Sequence, residues 1–261
     1  RSELGGQINL AVKIPGKQEF FETLRFYRVM LEKYGVELKL GQTVDAETLN
    51  SGKFDLVVLA TGVKPRELEL DGIDHPKVLS YLDVLDKERV VGQKVAVIGA
   101  GGIGIDVAHY LTAQTPFSGE VPEYFQGYGI LDSEKALALR KPKKREVTVL
   151  QRSADKIGKR WAHIQTLKSH GVQLLPGATY LKIDDSGLHV RVSLKKGEEP
   201  KDIVFEVDNV IVAAGQEPRR ELETSLRKAG FEVHVIGGAK AALGLDAKTA
   251  ISDGAELAAK L

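Results

Sequence analysis

A short apolar strand that runs directly into a glycine-rich turn and a helix constrains this chain more than any other feature. Residues 94–98, KVAVI, have the apolar character of a parallel strand buried on both faces. Gly99, Gly101 and Gly104 follow with GxGxxG spacing. The first glycine permits a tight turn, the second lets a pyrophosphate approach the backbone, and the third lets helix pack on strand. Strand, turn and helix together predict a dinucleotide-binding site.

The residues after the turn show the period of an amphipathic helix. Ile103, Val107, Tyr110 and Leu111 fall on one face, and the pattern ends near Thr112. The first N–H groups of a helix have no partner within the helix, and they carry the positive end of its dipole. We therefore expect them to point at the phosphates of the nucleotide.

The next strand is predicted at 146–150 and ends at Gln151 and Arg152. In dinucleotide folds a carboxylate at this strand end accepts a hydrogen bond from the ribose 2′-hydroxyl of NAD. Residues 150–153 contain no carboxylate, whereas an arginine matches the oxygens of a 2′-phosphate. The sequence therefore favours NADPH over NADH. Arg152 follows Gly99 by 53 residues rather than about 20, so this prediction requires the irregular segment 114–140 to loop out.

Helical and strand patterns alternate along the rest of the chain, which predicts an α/β fold. Hairpin signals at 185–187 and 196–197 indicate that three of the later strands are antiparallel. The segment 67–89 is predicted to be a connector, and the basic run 140–145 a solvated approach to a strand. Helices are predicted over 19–34, 161–170 and 247–261, and strands over 36–40, 54–60, 172–175, 179–183, 188–194, 203–207, 208–215 and 232–236.

Two strand ends repeat the same short pattern. Ala60, Thr61 and Gly62 close one strand, and Ala214 and Gly215 close another; a proline follows each glycine three residues later. A small residue and a glycine at a strand end mark places where the backbone comes close to another group. We expect these residues to approach a cofactor.

Composition and charge narrow the functional class. A net charge of +1 over 261 residues gives no general attraction to nucleic acid or to a membrane, so a small-molecule partner is expected. No cysteine is present, which excludes a disulphide framework, a thiolate metal site and a cysteine-ligated iron–sulphur cluster within these residues. No metal ligands are predicted, and a cytoplasmic location is expected. Arg1 opens within a motif, so we expect further chain before it.

Several longer stretches resemble the C-terminal half of bacterial NADPH-dependent 2,4-dienoyl-CoA reductases, in the old-yellow-enzyme and trimethylamine-dehydrogenase group. The stretch DGIDHPKVLSYLDVL and the motif AGQEP are more specific than a nucleotide fingerprint. The matching stretches lie at 3–7, 14–17, 60–62, 71–85, 99–104, 161–176, 182–190 and 214–218.

The resemblance implies two nested Rossmann-like dinucleotide-binding domains of the glutathione-reductase type. An FAD domain, incomplete at its N-terminus, would comprise residues 1–91 and 210–261, and an NADPH domain would comprise residues 92–209. Thr61 and Gly62 would close the first strand end of the FAD domain. The further residues implied in cofactor binding are Gly5, Gly6 and Gln7 facing FAD, Lys17 near its phosphate or ribose, Val44 near its adenine, and Gly102 beside the NADPH pyrophosphate.

In such enzymes hydride passes from NADPH to FAD, and electrons continue through a 4Fe-4S cluster to FMN, which reduces an unsaturated fatty acyl-CoA of β-oxidation. The cluster cysteines, the FMN site and the catalytic acids belong to the part of the family upstream of this chain, so no catalytic residue is assigned here. The chain would be the electron-input portion of the enzyme. A stand-alone NADPH-binding module, or an electron-transfer subunit of a separate flavoprotein, remains the alternative. A thioredoxin-reductase-like enzyme is disfavoured because it needs a CxxC motif.

The sequence departs from the resemblance after Gly237 and Gly238. Relatives carry an acidic residue shortly after this pair, which meets the ribityl chain of the flavin. Lys240 stands at the corresponding place, and Asp246 is the nearest acidic residue that follows. The contact between this region and FAD is therefore in question.

Overall fold

The computed structural model describes residues 1–50, 52, 54–113, 145–154, 157, 161–193 and 199–261. The segment 114–140 and residues 140–144 of the basic run lie outside this range. The chain divides into two compact units. The first unit consists of Arg1–Glu67 and Gly215–Leu261, and the second of Leu68–Ala214. Among the described helices, none has the length and hydropathy needed to cross a membrane.

Helices and strands alternate along the chain, in the order expected for an α/β fold. Before the segment 114–144 the elements are α1 (Ile8–Ala11), α2 (Phe20–Lys33), α3 (Ala46–Asn50), β1 (Val57–Leu59), β2 (Val63–Pro65), β3 (Val78–Ser80), α4 (Tyr81–Leu85), β4 (Lys94–Ile98) and α5 (Gly102–Thr112). After it they are β5 (Glu146–Leu150), α6 (Trp161–Ser169), β6 (Gln173–Leu175), β7 (Thr179–Asp184), β8 (Gly187–Val192), β9 (Lys201–Phe205), β10 (Asn209–Val212), β11 (Gln216–Pro218), α7 (Glu223–Lys228), β12 (Val233–Val235), α8 (Gly237–Lys240) and α9 (Ala247–Ala258).

The second unit is built on a parallel sheet of five strands in the order β3-β10-β4-β5-β6. The central strand β4 pairs in parallel with β10 on one side and with β5 on the other. Its residues from Val95 to Ile98 are almost completely buried, because both faces of the strand are covered. This arrangement confirms the α/β prediction and the buried strand that precedes the glycine turn.

Helix α5 begins and ends where the sequence indicates. Its buried residues are Gly104, Ile105, Val107, Ala108 and Leu111. Ile103 and Tyr110, which were expected on the buried face, are only half-buried. The helix packs against α4 and α6 as well as against β4 and β5, and its buried residues therefore include Ile105 and Ala108.

An antiparallel sheet of three strands, β7-β8-β9, completes the second unit and confirms the predicted antiparallel pairing. The hairpin signal at 196–197 lies outside the described residues. The inward side chains of the antiparallel sheet join the core of the parallel sheet. Leu188, Val190 and Val192 from β8 belong to the same apolar cluster as Ile98 and Leu150. The two sheets therefore share a core, and apolar burial on this scale is the main stabilising contribution to such a unit.

The segment predicted to be a connector contains β3 and α4. Ser80 is the N-cap of α4: its hydroxyl accepts from the Asp83 N–H at 3.1 Å, and the Asp83 carboxylate accepts from the Ser80 N–H at 2.8 Å. This is a capping box. Burial alone would raise the pKa of Asp83, but hydrogen bonds from Ser80 and Lys87 outweigh it and lower the pKa to about 2.

Pairing of β3 with β10 places residues 68–91 in the second unit. A bridge from Asp71 to Lys182 adds a further link to β7. The divisions between the compact units thus fall at 67/68 and 214/215, whereas the predicted cofactor domains were divided at 91/92 and 209/210. The difference arises because β3 completes the sheet that β10 and β4 begin.

The first unit has much less sheet. Strand β1 pairs in parallel with β12, and β2 pairs antiparallel with β11. Leu59, Leu226 and Val233 form a small buried cluster. Helices α2 and α9 match their predicted positions, but neither contains a buried residue.

The strand predicted at 36–40 is wrong, because these residues form no strand. Their apolar side chains Val36, Leu38 and Leu40 are exposed. A strand needs a partner for its backbone N–H and C=O groups, and no described strand pairs with this segment. Alternation of apolar residues alone therefore did not produce a strand here.

Candidate dinucleotide-binding site

Two of the glycines after β4 are required by close packing. Gly99 has a φ of +105°, and a Cβ there would lie 2.4 Å from the carbonyl oxygen of Ala213. A Cβ at Gly104 would lie 1.8 Å from the carbonyl oxygen of Gly99. Only glycine fits at either position, because real side chains do not approach backbone atoms so closely. These contacts account for the tight turn and for the close approach of α5 to the sheet.

Gly101 and Gly102 are different, because a Cβ at either would meet no described atom within 4 Å. Gly101 has a φ of −72°, which any residue can adopt, and it is the N-cap of α5 without a side-chain cap. The space over the first turn of this 11-residue helix is therefore open, and its backbone N–H groups face it. The geometry fits a pyrophosphate, which would take up the space that side chains leave free and would meet the positive end of the helix dipole.

The carboxyl end of β5 lies beside this turn. Ile98 and Leu150 are paired in register, and the Gly99 N–H donates to the Leu150 carbonyl at 2.9 Å. Gln151 and Arg152 follow immediately, and Arg152 is exposed. The structure thus brings the glycine turn and the predicted 2′-phosphate residues together, although 53 residues separate Gly99 from Arg152.

The loop that carries Gln151 and Arg152 is held by backbone hydrogen bonds. The Gln151 N–H donates to the Leu175 carbonyl at 2.9 Å, and its carbonyl accepts from Ala178 at 2.8 Å. The Ser153 carbonyl accepts from the Gly177 N–H at 2.9 Å. The Gln151 side-chain amide donates to the Ser153 carbonyl at 3.2 Å, which turns it back onto its own loop.

The predicted FAD residues near the start of the chain lie on a turn that leads into α1. Gly5 has a φ of +113° and Gly6 a φ of +54°, and Gln7 is the N-cap residue of the helix. A Cβ at Gly5 would lie 2.4 Å from a methyl group of Leu24, whereas a Cβ at Gly6 would meet nothing within 4 Å. Lys17 follows the next turn, where its N–H donates to the Ile14 carbonyl at 3.0 Å. The positive φ of Gly5 therefore favours glycine at this turn, and Gly6 leaves open space.

Val44 lies outside the helices and strands, two residues before α3. Its side chain is half-buried, and Asp45 beside it accepts from the Thr48 N–H at 2.7 Å, which caps that helix.

The repeated strand ends have a structural explanation in addition to the predicted cofactor contact. After Gly62 and Gly215, both with positive φ, the chain enters β2 and β11, which pair with each other. The Thr61 hydroxyl donates to the carbonyl of Arg219, and the Arg66 N–H donates to the Gly215 carbonyl. Each glycine thus turns the chain from a parallel strand into an antiparallel link.

The two strand ends differ in how much open space surrounds them. Ala60 and Thr61 at the end of β1 are exposed, and a Cβ at Gly62 would meet nothing within 4 Å. Ala214 lies at the end of the second unit, where its Cα would be 3.2 Å from a Cβ on Gly99. The open space beside Gly62 fits the predicted approach of FAD to this strand end.

Lys240 does not stand alone after the Gly237–Gly238 pair. Its ammonium lies 3.6 Å from a carboxylate oxygen of Asp253 in α9, and Asp253 also accepts from the Gly237 N–H at 2.9 Å. Asp246 instead caps α9, where it accepts from the Thr249 N–H at 2.8 Å. The acidic residue beside the glycine pair is therefore Asp253, which sequence reasoning missed. It lies 16 residues after Gly237, so no local pattern in the sequence pointed to this contact.

These features define a protein of the glutathione-reductase-like class, with two dinucleotide-binding folds in one chain. Residues 17–242 match the family model of the pyridine nucleotide-disulphide oxidoreductases, and the chain belongs to this family. It is a flavin-dependent NAD(P)H oxidoreductase module, and membership implies binding of FAD and NAD(P)H. No cysteine is present among its 261 residues, so these residues contain no redox dithiol.

The chain is similar to parts of longer proteins. It is 29% identical over 248 residues to a metal reductase of Desulforamulus reducens, covering 91% of this chain and 36% of that protein. It is 28% identical over 253 residues to an NADH oxidase of Thermoanaerobacter brockii, covering 92% of this chain and 33% of that protein. The chain thus spans about a third of the length of these curated relatives.

Solved structures show the same architecture. A 2-naphthoyl-CoA reductase in complex with 2-naphthoyl-CoA superposes with a TM-score of 0.79 and 27% identity, over 99% of this chain and 35% of that one. Thioredoxin reductase of T. acidophilum superposes with a TM-score of 0.62 and 17% identity, over 98% of this chain and 86% of that one. The second likeness shows the fold alone, and it confirms the predicted nested arrangement.

Proposed function

We propose that this chain is the electron-input portion of an NADPH-dependent reductase of unsaturated acyl-CoA thioesters, of the 2,4-dienoyl-CoA reductase type. The main observation that supports the proposal is that an open glycine turn and an exposed arginine follow the ends of two paired strands, β4 and β5. A pyrophosphate at Gly101 and a 2′-phosphate at Arg152 are the anionic groups that such a site fits. When bound, NADPH and FAD supply the hydride chemistry.

Each group of residues has a separate task in this proposal. The N–H groups at the start of α5 bind the pyrophosphate, and the open surface of Gly101 and Gly102 allows it to reach them. Arg152 and Gln151 bind the phosphorylated ribose. The FAD residues would be Gly5, Gly6, Gln7, Lys17, Val44 and the strand ends Ala60–Gly62 and Ala214–Gly215, with domains divided as the sequence predicts at 91/92 and 209/210.

The acyl-CoA substrate class is supported by the likeness to the 2-naphthoyl-CoA reductase, which extends over nearly all of this chain. The site where substrate would be reduced, with FMN and a 4Fe-4S cluster, would belong to a further part of the protein. We propose a cytoplasmic location for the whole enzyme.

Arg152→Ala tests the choice of NADPH. We expect the dissociation constant for NADPH to rise by about tenfold to a hundredfold, because a charge-assisted pair with the 2′-phosphate is lost, while that for NADH changes little. Both constants would be measured by calorimetric titration of the full chain. Lys94→Ala is the matched control, since it removes a positive charge at the opposite end of β4. An equal loss for both nucleotides would contradict the 2′-phosphate role.

The second candidate function is a stand-alone NADPH-binding module or an electron-transfer subunit of a separate flavoprotein. It is favoured by one observation, the continuous core that the second unit builds from its own two sheets. The intact mass of the protein isolated from its natural source separates the candidates. A mass near 28.4 kDa supports the module, whereas a mass roughly three times larger supports the fused enzyme.

A further inference from the structure

A tyrosine from the antiparallel sheet reaches the point where the glycine turn meets β5. The hydroxyl of Tyr180 in β7 donates to the Leu150 carbonyl at 3.1 Å, and the same carbonyl accepts from the Gly99 N–H at 2.9 Å. One carbonyl oxygen thus receives a donor from the predicted pyrophosphate turn and a donor from β7. Tyr180 lies 30 residues from Leu150 in sequence, so only the fold brings the two together.

The Tyr180 hydroxyl is protonated at neutral pH and can donate. Burial raises the pKa of Tyr180 to about 12, although the nearby Arg152 guanidinium and the Gly99 N–H act in the opposite direction. The hydroxyl therefore remains protonated at neutral pH. The ring packs against the apolar cluster that contains Ile98 and Leu150, which limits its movement.

The register of β7 changes at this residue. Tyr180 pairs with Val190, but Lys182 pairs with His189, so a β-bulge lies between them. Bulges reorient side chains relative to regular strand alternation and are frequent beside functional sites. The segment that ends at Tyr180 also supplies the backbone hydrogen bonds from Gly177 and Ala178 to the loop after β5. Residues 175–178 therefore hold the backbone of Gln151 and Ser153 through three hydrogen bonds.

We propose that Tyr180 is a positioning residue for nucleotide discrimination: its hydroxyl holds the end of β5 against the glycine turn, and this places Arg152 to meet a 2′-phosphate. The inference rests on the proposed NADPH function and adds a residue that touches no nucleotide. Removal of the hydroxyl leaves the ring in place, so the fold is retained while the Leu150 carbonyl loses one of its two donors. The loop that follows then gains freedom, and Arg152 is less often in the binding position.

Tyr180→Phe tests the proposal in the full chain, with 2′,5′-ADP and 5′-AMP as probes of the 2′-phosphate contact and with NADPH and NADH beside them. We expect affinity for 2′,5′-ADP and NADPH to fall by about three- to tenfold, as for the loss of one hydrogen bond, and affinity for 5′-AMP and NADH to change less. Val192→Ala is the control, because it removes buried apolar atoms from the same antiparallel sheet without removing a polar contact. It should lower the melting temperature and leave the ratio of the two affinities unchanged.

A double variant shows whether Tyr180 acts through Arg152. If it does, Tyr180→Phe should lower the affinity for 2′,5′-ADP no further in a protein that already carries Arg152→Ala. If Arg152→Ala lowers the affinity ratio but Tyr180→Phe leaves it unchanged, the positioning role is overturned and the NADPH function stands. If Tyr180→Phe weakens all four probes equally, the role in discrimination is overturned. If Arg152→Ala itself leaves the ratio unchanged, both the NADPH function and this inference fail.

Discussion

The two units of this chain contain the same kinds of element, but they differ in how completely they bury them. In the second unit, five parallel strands and three antiparallel strands share one core, and α5 buries a continuous face. In the first unit, the parallel sheet has two described strands, and α2 and α9 contain no buried residue. Of the exposed large apolar side chains among the described residues, all but Val90 and Val204 belong to the first unit.

The two units also differ in how neighbouring strands flank a strand that ends in a glycine. Both units have a parallel strand that ends in a small residue and a glycine. Only in the second unit do neighbouring strands on both sides cover that strand, because β3 and β4 flank β10. Since a sheet of two strands is marginally stable by itself, we expect the first unit to resist unfolding less than the second.

The largest effect is expected when a leucine is replaced by alanine in each of the two units. Leu188→Ala in the core of the second unit should lower the free energy of unfolding by about 2–5 kcal/mol, because Leu188 is fully buried. Leu38→Ala in the first unit should cost less than about 0.5 kcal/mol, because 43% of that residue is exposed. Urea unfolding followed by circular dichroism measures both. Equal losses of the free energy of unfolding would contradict the difference between the units, because Leu38 would then be buried in solution.

A substitution at the open glycine separates ligand binding from folding. Gly101→Val should weaken NADPH binding at least about a hundredfold, or about 2.7 kcal/mol, because the branched side chain enters the space of the pyrophosphate. The melting temperature should fall only slightly, since a Cβ there meets no described atom within 4 Å, although valine is a poorer N-cap than glycine. The FAD content should also be unchanged if FAD binds through the first unit.

Gly104→Ala is the counterpart to that variant. Its Cβ would lie 1.8 Å from the Gly99 carbonyl oxygen, so both the melting temperature and the NADPH affinity should fall. Unchanged NADPH binding in Gly101→Val would contradict the assignment of the pyrophosphate to this turn.

The smallest effect is expected at two aspartates that accept hydrogen bonds at helix N-termini, one in each unit. Asp83→Ala should lower the free energy of unfolding by about 1–2 kcal/mol at neutral pH, because it removes half of the capping box of α4. The folded-state pKa of Asp83, about 2, is below its ordinary value of 3.8, so its contribution is present above pH 3.8 and is lost as pH falls through about 2. Chemical unfolding of both proteins at a series of pH values should show the difference disappear over this range.

Asp45, which caps α3 in the first unit, provides the contrast. Hydrogen bonds from Thr48 lower its pKa as well, but its side chain is fully exposed to solvent. Asp45→Ala should therefore cost less than Asp83→Ala under the same conditions. A larger loss at Asp45 would indicate that α3 is better packed than the comparison of the two units implies.

The local sequence was sufficient to predict the elements whose residues carry their own signal. Helix α5 begins and ends as the glycine spacing and the apolar period predict, and α2 stops before Gly35, which has a φ of +65°. The prediction of a strand at 36–40 was wrong because a strand needs a partner strand, and alternation of apolar residues does not provide one. The segment 67–89 was predicted to be a connector, and the strand β3 within it was missed, because β3 has only three residues and forms through its pairing with β10.

The residues of the candidate site also differ in whether the sequence alone could identify them. Gly99, Gly101 and Gly104 could be identified from the sequence, because their GxGxxG spacing follows directly after an apolar strand pattern. Tyr180 and Asp253 could not, since each acts on a residue that is distant in sequence: Tyr180 on Leu150, and Asp253 on Gly237. A hydrogen bond between distant residues leaves no periodic pattern.

By itself, then, the sequence determined the buried strand, the glycine turn, the helix that follows and the absence of a redox dithiol, because these depend on neighbouring residues and on composition. Only the tertiary structure decided that Arg152 lies beside the turn, that residues 68–91 join the second unit, and that the Tyr180 hydroxyl donates to the Leu150 carbonyl. The physical reason is that strand pairing and burial connect residues across the chain, and their free energy depends on which surfaces meet in the folded state.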